Sequence, residues 1–203
     1  LIGPNGAGKS TLLSLIVGTL SPSGGEIFFD GREISGLKPH TRIKEGLGIK
    51  FQVPGIFTGL PTRQNLAISM LSRGYGSRLS DHVDEMLDLL DLTNEADTNA
   101  GELSHGKQQW LEIGMSVSTD PRLLLLDEPT AGMSLEETRK TGELVQKLNA
   151  SGMAVIAIEH DMAFVRQIAG KVSVMHLGKI FCEGSMEEIE RNEDVAEIYL
   201  GKF

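Results

Sequence analysis

Two rhythms of apolar residues alternate along the chain. From Lys9, "KSTLLSLIVGTL" places Leu12, Leu13, Leu15 and Ile16 on one face of a predicted helix. "GEIFFDGREI" predicts a short β-hairpin turning at Asp30-Gly31, and "LGIKFQ" the end of another strand. After Pro54 the pattern becomes a loop and then helices. In "SDHVDEMLDLLDL", Val83, Met86, Leu87 and Leu90 share a face, and "LSHGKQQWLEIGMSVS" is helical with Ser104 as its N-cap. Strand character returns in "RLLLLDE". A helix then starts at a capping box of Ser134 and Glu137, with Leu144, Val145 and Leu148 inward. "MAVIAIEH" reads as a strand covered on both faces, "KVSVMHLGKIFCEG" as a closing hairpin, and "SMEEIERNEDVAEIYLG" as one terminal helix.

Strands alternating with helices imply an α/β fold on a parallel sheet with right-handed crossovers. The core is expected over 1–57 and 119–203, with a helical insertion over 58–118. The length of 203 residues fits one lobed domain. A net charge of −9 argues against nucleic acid, whose binding proteins carry basic patches to displace counterions. Cys182 is the single cysteine, so there is no disulfide framework and a reducing compartment fits. The apolar runs are far shorter than the ~20 residues of a membrane span.

Candidate chemistry begins at "GPNGAGKST". Gly3, Gly6 and Gly8 permit backbone conformations that aim successive N–H groups at a polyphosphate ahead of a helix N-terminus. Lys9 supplies a cation to the β- and γ-phosphates and Ser10 a hydroxyl for Mg²⁺. "LLLLDEPT" is an apolar strand ending in two acids: Asp127 suits the outer shell of Mg²⁺, and Glu128 can orient or deprotonate a water. "LSHG" opens a helix and so offers a second anion-receptive N-terminus. His160 in "IEHD" falls just beyond a core strand, where ligands gather in open α/β sheets.

These segments together resemble the ATP-binding-cassette (ABC) ATPases over essentially the whole chain. The resemblance rests on "GPNGAGKST" (Walker A), Gln52 (Q-loop), "LSHGKQQ" (signature), "LLLLDEP" (Walker B), "AGMS" (D-loop) and His160 (switch histidine). It implies a P-loop NTPase core with an inserted helical subdomain, binding ATP and Mg²⁺. Gly3, Pro4, Asn5, Gly6, Ala7, Gly8, Lys9, Ser10 and Thr11 would cradle the nucleotide, and Ser10, Gln52 and Asp127 would serve the metal. Glu128, His160 and Gln52 would be catalytic, with Gln52 also tying the helical lobe to a membrane subunit. Because two cassettes sandwich two ATP molecules, Ser104, His105 and Gly106 would serve the ATP held by a second ATPase subunit.

Separate transmembrane permease subunits and, indirectly, a periplasmic or extracellular solute-binding protein are the further partners implied, at the cytoplasmic face of the inner membrane. Trp110, "EIGM" and "EIYLG" are most similar to the urea importers, relatives of the branched-chain amino-acid importers. A soluble cassette ATPase of a non-transport complex, such as iron–sulfur cluster assembly, shares the same motifs. A P-loop kinase or GTPase leaves "LSHG" and "DEPT" unexplained.

Two positions depart from the usual Leu-Ser-Gly-Gly-Gln: His105 and Lys107. A cation in a first helical turn opposes the macrodipole, so Lys107 either faces an anion, such as a partner-bound γ-phosphate, or is simply solvated. Family members carry strands before Walker A, with an aromatic that stacks on adenine. The expectation is a longer ATPase whose first strands precede Leu1, which leaves the adenine-stacking role unassigned.

Overall fold

The computed structural model describes residues 1–50 and 55–200. Its central sheet is parallel, in the order β3 (Leu47–Lys50), β4 (Leu123–Asp127), β5 (Ala154–Ile158). Leu1 and Ile2 add a stub beyond β5. The Leu1 amine donates to the Ala157 carbonyl at 2.7 Å, and the Glu159 amide donates to the Leu1 carbonyl at 3.3 Å. Ile2 exchanges backbone bonds with Ser173 and Met175, joining the stub to β6 (Val172–His176). The closing hairpin forms as expected, β6 pairing antiparallel with β7 (Lys179–Gly184).

The leucines of β4 explain why the sheet is two-sided. Leu124 and Leu126 pack with the helices on one face, and Leu125 packs on the other with Leu13 and Val17 of α1 (Lys9–Val17). Successive side chains of a strand point to opposite faces, so a continuous apolar run is what double coverage requires. That property belongs to β4 rather than to β5, where it was expected. In β5, Ala154 is exposed, Val155 to Ala157 are half-buried, and only Ile158 is buried. A groove of about 510 Å³ runs beside β5, lined by Leu12, Ile16, Val155, Ala157, Ile168 and Val172 among others. The same groove leaves Leu12 and Ile16 half-buried, so the buried face of α1 is Lys9, Leu13 and Val17.

The early hairpin is β1 (Phe28–Phe29) with β2 (Arg32–Glu33), turning through Asp30 and Gly31, both at positive φ. Between β3 and β4 the chain passes through α3 (Thr62–Met70), α4 (Leu79–Leu89) and α5 (His105–Val117). Val83, Leu87 and Leu90 are buried with Trp110, Leu111 and Ile113, while Met86 packs at the margin. Trp110 joins this lobe to α6 (Leu135–Ala150): its indole N–H donates to the Thr141 hydroxyl at 2.8 Å. The Ser134–Glu137 capping box of α6 is formed.

Sequence periodicity did not single out α2 (Pro39–Lys44) or α7 (Met162–Ile168), both short. Buried Arg42 of α2 is an internal clamp, its guanidinium donating to the carbonyls of Leu15 and Ile16 at the end of α1 and to Ser35 and Leu37. The single terminal helix is in fact two, α8 (Met186–Glu190) and α9 (Glu193–Leu200). Asn192 separates them because its side-chain oxygen accepts from the Val195 amide at 3.2 Å, starting a new helix instead of continuing the old one.

Candidate nucleotide site

The loop from Gly3 to Gly8 connects the stub to α1. Gly3 has φ 151°, and a Cβ there would stand 2.3 Å from the Met175 carbonyl oxygen, so no larger residue fits against β6. Gly8 caps α1 in the left-handed region, at φ 99°, with no side-chain cap bond. The first N–H groups of α1 have no intrahelical partner by construction, which leaves them for an anion. The loop is held from behind: the Gly178 amide in the β6–β7 turn donates to the Ala7 carbonyl at 2.9 Å. In Tyr199 of α9, which sequence reasoning did not assign a role, burial pushes the phenol up, countered by the Gly3 backbone.

Lys9 is only 7% exposed, and its ammonium donates to the carbonyls of Gly3 at 2.8 Å and Pro4 at 3.1 Å. Burial lowers its pKa, and the charges of Glu128 and Asp127 work the other way. The hydroxyl residues Ser10 and Thr11 are exposed beside it. Asp127, at the end of β4, is 8% exposed. Burial and the neighbouring Glu128 raise its carboxyl, opposed by Lys50 and Lys9.

Glu128 has φ 47°, a conformation that costs free energy in a non-glycine residue, of the kind that collects at functional sites. Its amide continues the ladder to the Ile158 carbonyl at 2.9 Å, and its carboxylate lies 3.2 Å from Nε2 of His160. The structure thus brings Lys9, Asp127, Glu128 and His160 together at one end of the sheet. Gln52 lies outside the described residues.

Three residues at this end escaped the sequence reading. Glu159, buried, accepts from the Thr130 amide and hydroxyl at 2.9 and 2.6 Å and from the His160 amide at 2.8 Å. It therefore fixes the turn after β4 against the turn after β5, and the "EHD" spacing was its only signal. Lys50 and Glu112 form a buried ion pair at 3.8 Å, their side chains 0% and 7% exposed. Glu112 also accepts from the Gly55 amide at 3.0 Å, and Lys50 reaches the Asp127 carbonyl oxygen at 3.5 Å. Burial lowers the lysine and raises the acid, each countered by the other. No local sequence pattern announces a pair separated by a whole helical lobe.

The signature segment lies at a different place. Ser104 caps α5, its hydroxyl accepting from the Lys107 amide at 3.4 Å. Ser104 and His105 are exposed and Gly106 is buried. Of the two readings of Lys107, facing an anion or solvated, the first describes it within this chain, and the anion is a carboxylate: its ammonium is paired with Glu95 of the same lobe.

A glycine-rich loop feeding a helix N-terminus, an internal lysine and a strand-end acid pair define a class, the phosphate-loop nucleotide hydrolases. The chain belongs to the ABC transporter family, whose sequence profile matches residues 1–131. It is similar to the branched-chain amino acid transport ATP-binding protein BraF of Pseudomonas aeruginosa, at 34% identity over all of this chain and 86% of that protein. The lipopolysaccharide export ATP-binding protein LptB of Acidithiobacillus ferridurans is 32% identical over 99% of the chain and 84% of its own length. Among solved structures, the ADP conformation of the cassette MJ1267 superposes with a TM-score of 0.87 at 30% identity, covering 98% of this chain and 86% of that one.

The chain accordingly binds nucleotide and hydrolyses ATP as the ATPase subunit of a transporter; a soluble non-transport role is not favoured. Among the described residues no helix is long and apolar enough to cross a membrane.

Proposed function

We propose that this chain powers an importer of small amino-acid or amide solutes, branched-chain amino acids first and urea as the second reading. BraF and LivG, relatives named for branched-chain amino acid transport, support the first at 34% and 33% identity. Trp110 and the ending "EIYLG" support the second by resemblance. The observation that carries the engine is the Glu128–His160 contact of 3.2 Å beside buried Lys9 and Asp127.

In this reading Gly3 to Thr11 wrap the phosphates, with Lys9 swinging from the loop carbonyls to the β- and γ-oxygens. The oxygen donors Ser10 and Asp127, with Gln52, suit Mg²⁺, a hard cation. Bound Mg²⁺ would neutralise charge on the phosphates. Glu128 accepts the proton of the attacking water, and His160 holds the Glu128 carboxylate and the γ-phosphate in place.

Ser104, His105 and Gly106 of one subunit face the nucleotide of a second ATPase subunit. The helical lobe, 58–118, meets a permease subunit at the cytoplasmic face of the membrane, and a solute-binding protein acts across it. Reconstitution with the permeases and binding protein of neighbouring reading frames tests the cargo. Stimulation of ATP hydrolysis by leucine-loaded binding protein is expected. Stimulation by urea alone would select the second reading, and stimulation by neither would reject both.

A further inference from the structure

The geometry points to His105 as a positioning residue that fastens the signature turn to the 131–134 loop of the same subunit, so that both move together. This rests on the reading of those two segments as the face turned to a partner ATPase.

The ring of His105 lies with Nε2 at 2.9 Å from the Ala131 carbonyl oxygen. A carbonyl only accepts, so Nε2 carries the proton in this contact. The Ala131 amide in turn donates to the Glu128 carbonyl at 3.2 Å. One peptide segment therefore connects the signature turn to the backbone of the acid that ends β4.

The neighbourhood is built to hold this contact. Gly132, at φ 74°, leaves room for the ring: a Cβ there would stand 3.3 Å from His105 Nε2. The N-termini of α5 and α6 are pressed together, since a Cβ on Gly106 would stand 2.3 Å from Oε1 of Glu137. Glu137 cannot yield freely. Its other oxygen accepts from the Ser134 amide at 2.9 Å and the Ser134 hydroxyl at 2.8 Å in the capping box. The far end of the loop is thus fixed by α6, and His105 fixes the near end. A glycine at 105, the usual residue of the motif, has no side chain to do this. Lys107 is anchored to Glu95 instead and does not compete for the loop.

The test compares His105→Leu, His105→Gly and His105→Gln in the protein as purified, with two readouts. Amide exchange over 131–134 in the nucleotide-free chain should rise about 2- to 10-fold in the Leu and Gly variants, the range for losing one hydrogen bond. Gln, which keeps a donor, should restore protection, and the melting temperature should move little in all three because His105 is exposed. In ATP hydrolysis, kcat should fall severalfold in the Leu and Gly variants with KM unchanged, and Gln should recover it. Unchanged exchange in His105→Leu, or raised exchange with unchanged kcat, overturns the proposal. The exchange readout needs neither nucleotide nor transport, so failure of the proposed function leaves it interpretable.

Discussion

The chain presents two helix N-termini that the sequence marks for anions, and they are built differently. At α1 the cap is a left-handed glycine without a side-chain bond, and a buried lysine folds over the loop with Asp127 and Glu128 close enough to shift it. At α5 a serine caps the helix, Ser104 and His105 are exposed, and Lys107 of the first turn is paired with Glu95. Both ends offer the same backbone dipole, worth only ~0.3–1 kcal/mol on an exposed surface. The difference lies in what surrounds it. The α1 end combines a cation, carboxylates and His160, and so has the groups for chemistry within one chain. The α5 end offers an exposed serine cap and an exposed imidazole, which the proposed half-site would use.

Three experiments bear on that contrast. The largest effect is expected from Glu128→Gln, which keeps the shape beside His160 and removes the basicity. Hydrolysis should fall by ~10²-fold or more with ATP binding retained. Turnover above about a tenth of wild type, measured by phosphate release, would show that the acid at the α1 end is not the base. Next, Lys9→Ala should weaken ATP binding by roughly 10-fold or more, because hydrogen bonds to charged groups contribute ~1.5–3 kcal/mol. Unchanged affinity by calorimetry would reduce the α1 end to the same bare dipole as the α5 end. The smallest effect belongs to Lys107→Ala. Its pair with Glu95 is partly exposed, so stability should change by less than ~1 kcal/mol and hydrolysis by no more than about twofold. A tenfold loss of hydrolysis would instead mean that this ammonium serves the partner's phosphate.

The contrast also separates what was legible from what was not. The phosphate loop, the strand-end acids and the capping box of α6 are contiguous in sequence, and their physics is local: glycine conformations, helix ends and apolar runs. Glu159 and the Lys50–Glu112 pair were not legible, because a buried charge declares itself only by its partner. Glu159 meets Thr130 across 29 positions, and Glu112 meets Lys50 across 62, the difference of their numbers. The misjudged strand has the same cause. An apolar run of "MAVIAI" specifies a strand, but how many of its residues are covered depends on which neighbours reach them.

The sequence by itself determined the alternation of strands and helices, the hairpin turn at Asp30-Gly31, the closing hairpin, and a phosphate loop preceding a helix. Each is encoded within a few residues, where backbone sterics and periodicity decide the outcome. Only the tertiary structure decided that β4, not β5, is the doubly covered strand, and that an Asn192 cap divides the last helix. It alone decided that Glu159 locks the turns after β4 and β5 together, that Lys107 turns to Glu95, and that His105 reaches Ala131. These outcomes depend on which distant side chain offers a donor, an acceptor or a covering surface, and chain neighbours carry no information about that.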